Sequence, residues 1–329
     1  MRKKMITALL VILLGIAALM AYSVLRIRWT PSVSPPLPVT APEESGRLRA
    51  HVEELSVRIG PRSVLDYPNV EAARRYIVAA LGALGYDPVL QTYEYRGKPF
   101  SNVIVTIPGT AKRDETVLVG AHYDTVDGTP GADDNASGVA VLLEICRLLK
   151  GFAPVRTLKM VFFVLEEPPV FRTEFMGSAV CAREAKAAGE RISAMISLEM
   201  LGYYSEQKGG QAFPLPLMGL MFSTTPDFIA VVGNLDSKGL VRRIAESLKQ
   251  GCDIPVETLA APAFVPGVDF SDHRSFWKMG WPAVMITDTA FYRNPNYHGE
   301  GDTIATLDFD RMGRLLRGLS KTITDLCDA

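Results

Sequence analysis

The chain has only four cysteines (Cys146, Cys181, Cys252 and Cys327), far apart and without a C-x-x-C pair, so a thiolate-clustered metal site is excluded. Cys146 and Cys181 fall on helical patterns and read as buried apolar fillers; a Cys252–Cys327 disulfide is open outside the cytoplasm, but nothing in the sequence demands it. Histidine is equally scarce, at four in 329 residues. Neither charge is in excess, the net being -1, but five basic groups (Arg2, Lys3, Lys4, Arg26, Arg28) and no acid lie in the first 28 residues. That leaves 30 basic against 36 acidic side chains in the remainder, a mildly acidic body that argues against nucleic acid as main partner. There is no internal repeat, and no compositional break follows Pro42.

One long apolar run is present, Met5–Leu25, uncharged and long enough to span a bilayer as a helix. It is too evenly hydrophobic for a simple signal peptide and lacks a clean A-x-A site, although Ala21 offers a cleavage point that would release a secreted form. The expectation is an uncleaved signal anchor. Arg2, Lys3, Lys4 and the α-amino group outweigh Arg26 and Arg28, which places the amino terminus in the cytoplasm and the body outside it, in a periplasmic or other extracytoplasmic space. Thr30–Pro42 is a proline-rich, semi-rigid spacer. The organisation expected is an anchor over 1–28, a linker over 29–45 and one globular domain over 46–329.

Two helical patterns, Glu44–Ile59 and Asn69–Leu84, precede strands at Val89–Tyr95 and Ser101–Ile107. Strands and helices then alternate. Strands are expected at Thr116–Ala121, Thr157–Leu165, Ala194–Glu199, Phe228–Val232, Pro255–Leu259 and Ala283–Ile286. Helices are expected at Ser137–Leu149, Glu174–Ala188, Ser237–Lys249, Asp272–Lys278 and Asp308–Leu326. Such alternation implies an α/β fold with a mostly parallel sheet covered on both faces.

Polar clusters stand where the buried strands end. His122–Gly138 (HYDTVDGTPGADDNASG) follows Thr116–Ala121, at the sheet edge where open α/β folds bind ligands. His122 and Asp124 are two apart and share a face of an extended chain, which suits a metal-bound imidazole held by a carboxylate. The pair Asp133-Asp134 offers a carboxylate for the same metal or for bridging two; a polar loop capped by Asn135 or Ser137 accounts for the same residues. Thr157–Leu165 runs into Glu166-Glu167, neighbours of opposite orientation, so one can bind metal while the other faces substrate. Ala194–Leu198 runs into Glu199, a position that equally suits a cap or an ion pair. The aromatic-rich loop after Ala283–Asp288 carries His298 and Asp302.

In order, His122-x-Asp124, Gly131–Gly138, Glu166-Glu167, Ser197–Met200, Ser271-Asp272-His273 and Tyr297-His298 with Asp302-Thr303 resemble the zinc-dependent M28 aminopeptidases, over roughly residues 46–329. The resemblance implies a three-layer α/β/α sandwich holding two zinc ions about 3.5–4 Å apart. Asp133 would bridge them, His122 and Glu199 completing one shell and Glu167 and His298 the other. Asp124 would orient His122, and Asp134 would support the ligands from behind. Glu166 would be general base for a hydroxide held between the metals, and Tyr297 would hydrogen-bond the oxyanion, with peptides losing their N-terminal residues. The resemblance also implies a cis peptide bond between Asp133 and Asp134.

Two departures stand out. Many relatives have Asp at the Glu199 position, and Pro168–Phe175 is longer than in the simplest members, beside the site. His273 is not a ligand in the family and reads as structural, with Ser271 as a helix N-cap. A mixed N/O ligand set accepts manganese or cobalt as well as zinc. Two other functions share the fold: a glutaminyl cyclase, using one zinc for intramolecular amine attack, and a receptor-like binding domain without chemistry.

Overall fold

Among the described residues eight strands form one sheet in the order β1-β2-β4-β3-β5-β8-β6-β7. The computed structural model describes residues 42–329 and Gly15; Met5–Leu25 as a span, and the spacer up to Ala41, lie outside the described residues. Among the described residues no helix is long and apolar enough to cross a membrane.

The strands are β1 Val89–Tyr95, β2 Lys98–Ile107, β3 Lys112–His122, β4 Arg156–Phe163, β5 Arg191–Glu199, β6 Ile229–Gly233, β7 Val256–Ala260 and β8 Ala283–Thr287. The helices are α1 Pro42–Glu53 (continued by a wide turn over Glu54–Ile59), α2 Tyr67–Ala83, α3 Gly138–Leu148, α4 Gly177–Ala187, α5 Lys238–Gly251, α6 His273–Lys278 and α7 Phe309–Asp328. All eight expected strands and seven expected helices are present. β4, β3, β5 and β8 run parallel side by side, while β1, β2 and β6 make antiparallel contacts, so the sheet is mixed.

Alternation along the central strands explains the layers. Val117, Val119 and Ala121 of β3 point into one core with Leu158, Met160 and Phe162 of β4 and Ile196 and Leu198 of β5. Leu118, Val161, Phe163 and Met195 point the other way, into a second core. A sheet apolar on both faces must be covered on both. The first face carries α1, α2, α3, α5 and α7, and the second carries α4 and α6. On α7 the stripe Met312, Leu315, Leu316, Leu319 and Ile323 has helical spacing and is buried, and Asp308 caps its start by accepting from Arg311 N–H at 2.9 Å. The expected three-layer sandwich therefore stands.

The four cysteines are buried free thiols, so Cys252 and Cys327 are not bonded. Because β4, β3, β5 and β8 are parallel neighbours, their carboxyl ends lie along one edge, where the polar clusters gather.

Candidate metal centre

Four loops converge at that edge. His122 ends β3, Glu199 ends β5, Glu166 and Glu167 follow β4 by way of Val164 and Leu165, and Asp134 lies on the turn before α3. Several residues there hold left-handed backbone despite having side chains: Leu165 (φ 61°), Met200 (φ 51°) and His298 (φ 57°). Such conformations persist where the surroundings enforce them and gather at functional sites.

His122 Nε2 lies 3.4 Å from Asp134 Oδ1 and 3.4 Å from Glu199 Oε1. His298 Nε2 lies 3.2 Å from Asp134 Oδ2 and 3.5 Å from Glu167 Oε2. Asp134 thus stands between two half-sites, His122 with Glu199 and His298 with Glu167. All but His298 are buried, and His298 is partly exposed.

This corrects the expected bridge by one position. Asp133, not Asp134, is turned away from the cluster: its Oδ1 accepts from Gly202 N–H at 2.9 Å and its Oδ2 from Asn294 Nδ2 at 2.9 Å. Burial and the facing Asp288 carboxyl push Asp133 well up. Successive side chains on this turn point to different sides, so only one of the pair can face the imidazoles. The cis peptide bond likewise lies at Asp134-Asn135 rather than Asp133-Asp134.

Two carboxylates act as clamps on backbone. Asp302 accepts from Asp133 N–H at 2.8 Å and from Asp134 N–H at 3.0 Å. Asp124 accepts from Glu166 N–H at 3.1 Å and Glu167 N–H at 3.1 Å, and its Oδ1 lies 3.6 Å from His122 Nδ1. Asp124 therefore locks the two glutamates as well as facing His122. Asn135 accepts from Gly138 N–H at 3.2 Å at the start of α3 and donates to Leu198 O at 2.8 Å, joining the turn to β5. Gly131 sits at φ 61°, and a Cβ there would meet Asp134 O at 2.3 Å, so the turn requires glycine.

Ser271 is not the expected cap. Its hydroxyl donates to Glu199 Oε2 at 2.6 Å and contacts Ser197 Oγ at 2.8 Å, which fixes the longer glutamate side chain. His273 is structural, as expected: its Nε2 lies 2.8 Å from Val268 O, its ring stands edge-on to Trp277, and burial pulls it down to about 4.

Arg62, Asp288 and Asn294 are supports that the sequence did not single out. Arg62 is fully buried and spends its guanidinium on main-chain carbonyls of Tyr123, Leu55, Gly60, Pro130 and Gly131. Burial pulls it down to about 10, opposed by Asp302, Asp124 and Asp134, so it stays charged beneath the acidic loop. Nothing in the local sequence Gly60-Pro61-Arg62 distinguishes it from a surface arginine.

The cluster fits divalent metal. Asp134 Oδ1 is buried without a hydrogen-bond partner. The gaps of 3.2–3.5 Å match the spacing of donors around a zinc ion bound at about 2.0–2.1 Å, which tetrahedral geometry sets near ~3.3 Å. Positive charge is also what the site lacks. Burial pushes the carboxyls of Glu166 and Glu167 up, Glu167 to about 8, and His298, despite its own burial, is raised to about 10 by Asp134 and Glu167. A cation would serve where protons otherwise must.

Beside Glu199 and Tyr297 opens an apolar cavity of roughly 810 Å³ including its mouth. Phe213, Met218, Phe228, Phe270 and Met285 are among its walls. Its lining holds Glu199 and Glu257 but no lysine or arginine. Tyr297 stacks on His298 with ring centroids 3.7 Å apart, and burial pushes its hydroxyl up, so it remains a proton donor. The long segment Pro168–Phe175 reaches this wall: Arg172 pairs with Asp269, and Phe171 lies 6.0 Å edge-on to Phe270.

The profile of peptidase family M28 matches residues 102–323, which takes in all of these groups except Arg62. The chain belongs to peptidase family M28. It is 39% identical to the Escherichia coli protein YfbL over 83% of this chain and 85% of that one. It is 32% identical to a probable leucine aminopeptidase of Trichophyton verrucosum, over 64% of this chain, and spans about half (53%) of that relative's length. Among solved structures, BSAP, a zinc aminopeptidase from Bacillus subtilis, superposes with a TM-score of 0.67 at 15% identity, covering 87% of this chain and 95% of that one. A Bacteroides thetaiotaomicron glutaminyl cyclase gives 0.64 at 19% identity, covering 88% and 99%. At these identities the structures share the fold.

Proposed function

We propose that this M28 peptidase is a dizinc aminopeptidase, releasing N-terminal residues from peptides. The single observation that carries it is Asp134, with one oxygen facing His122 and the other facing His298. His122, Asp134 and Glu199 would hold one zinc, and Asp134, Glu167 and His298 the second. Bound there, the ions would activate a water and polarise the substrate carbonyl. Glu166, locked by its backbone to Asp124 and not required as a ligand, takes the proton and returns it to the leaving amine. Tyr297, kept protonated by its buried acidic surroundings, donates to the developing oxyanion.

The cavity supports an N-terminal rather than C-terminal mode. An apolar lining without lysine or arginine suits a large apolar side chain at the end of a peptide and offers no cation to a C-terminal carboxylate. Convergence of all five ligand groups favours the peptidase over the one-zinc cyclase or a binding domain. Met5–Leu25 would anchor the enzyme with its site outside the cytoplasm.

The test compares leucine amide with its N-acetylated form, alongside metal analysis of the purified protein. The reading expects zinc in the protein and cleavage of the free-amine substrate only. Equal cleavage of the blocked substrate, or cyclisation of N-terminal glutamine with no peptide cleavage, would overturn it.

A further inference from the structure

Two stretches border the cavity and carry no charge at all: residues 211–226 (QAFPLPLMGLMFSTTP) and 258–268 (TLAAPAFVPGV), the second running from the end of β7 into the loop after it. Phe213, Met218 and Phe222 of the first and Pro266 and Val268 of the second line the cavity. Their neighbours turn outward. Leu215, Leu217 and Leu220 are 52%, 72% and 83% exposed, and Phe264 is 86% exposed. Large apolar side chains exposed on uncharged stretches that border one cavity mark an interaction surface.

The path of the chain says what lies opposite. Residues 1–41 include the apolar run Met5–Leu25, and only 16 residues separate Leu25 from Pro42, a reach of at most roughly 60 Å. The described chain begins at α1, where Ser45 Oγ donates to Asp310 Oδ1 at 3.0 Å at the start of α7. The next residue, Arg311, pairs with Glu206, which leads into the first uncharged loop. The tether thus enters the domain beside the root of the apolar rim.

We propose that this rim docks on the lipid bilayer, with Leu215, Leu217, Leu220 and Phe264 set among the acyl chains at the interface. Inserting uncharged loops requires no ion to be desolvated, whereas one lysine or glutamate among them would oppose it. The mouth of the cavity then opens at the membrane surface, within reach of apolar peptide ends that partition there.

The native thiols are all buried, so single surface cysteines can carry a fluorophore. Full-length protein with Leu217→Cys, or with Asp114→Cys at the opposite end of β3, is labelled with an environment-sensitive dye. Each is then reconstituted into phosphatidylcholine vesicles, with or without acyl-chain bromines. The label at 217 should shift to the blue and be quenched by the bromines several-fold more than the label at 114. A Leu220→Glu/Phe264→Glu background should abolish that difference while the variant still cleaves soluble leucine amide at the parental rate. A water-like, unquenched label at 217 overturns the proposal. So does a blue shift that ignores bromine and grows with the protein-to-lipid ratio, which would mean a second copy of the chain covers the rim. The readout is independent of catalysis, so failure of the peptidase reading leaves it intact.

Discussion

The carboxylate of Asp302 holds the backbone N–H groups of both Asp133 and Asp134, at 2.8 and 3.0 Å, and so decides which of two identical side chains faces the imidazoles. With the backbone clamped there, Asp133 is turned toward Gly202 and Asn294, and Asp134 toward His122 and His298. The site is built from such second-level contacts as much as from its ligands.

Glu166 and Glu167 share chemistry and differ in role. Glu166→Gln keeps the shape but cannot accept a proton, so metal content should stay near wild type while kcat falls about 10²–10⁴-fold. Glu167→Gln should instead lose part of the metal, and excess zinc should restore some activity. Metal analysis beside steady-state kinetics checks both; the opposite pattern would exchange their roles.

Ser271 acts through Glu199, whose Oε2 it holds at 2.6 Å. Ser271→Ala should weaken zinc affinity about 10–100-fold, the usual cost of removing a group that orients a ligand. Competition with a chromophoric chelator measures this directly, and unchanged affinity would mean that packing alone orients Glu199.

Arg62 links the turn after α1 to the loop that carries Asp133 and Asp134. Arg62→Met would take this donor from the carbonyls of Tyr123, Gly60 and Pro130, while those of Leu55 and Gly131 keep the N–H groups of Gly60 and Ala136, and a loss of about 3 kcal/mol in denaturant unfolding is expected. Arg62→Lys should recover only a minor part, since a single ammonium cannot span the carbonyls that a planar guanidinium reaches.

Glu144 on α3 receives Arg47 of α1 at 2.9 Å and Arg147 at 2.8 Å. Burial opposes its charge, but His51, Arg47 and Arg147 outweigh that and hold it at about 2, below its ordinary 4.5. A depressed carboxyl stabilises the fold above its unfolded pKa and ceases to do so as pH falls from 4.5 toward 2. Glu144→Gln should therefore cost about 2 kcal/mol at neutral pH and converge with the parent in acid, as read by urea unfolding across pH.

Strand periodicity made the fold legible. Apolar runs such as Thr116–Ala121 and Thr157–Leu165 are continuous because both faces of the sheet are buried, and each ends in a polar cluster because the chain leaves the core there. His122, Glu167, Glu199 and His298 were visible for that reason, with Asp124 and Asp302 beside them. The choice between Asp133 and Asp134 was not visible, because it rests on backbone contacts to Asp302 and Gly202 from distant parts of the chain. Arg62, Asp288 and Asn294 escaped for the same cause: their work is done by burial and long-range hydrogen bonds that no local pattern records. A serine before a short helix usually caps it, but the Ser271 hydroxyl donates instead to Glu199.

Anomalous scattering at the zinc edge, from crystals of the protein grown with zinc, tests the bridging role of Asp134 directly. Two peaks are expected, one against His122 and Glu199 and one against Glu167 and His298, with the Asp134 carboxylate bonded to both. A single peak, or two peaks bridged by Asp133, would contradict it.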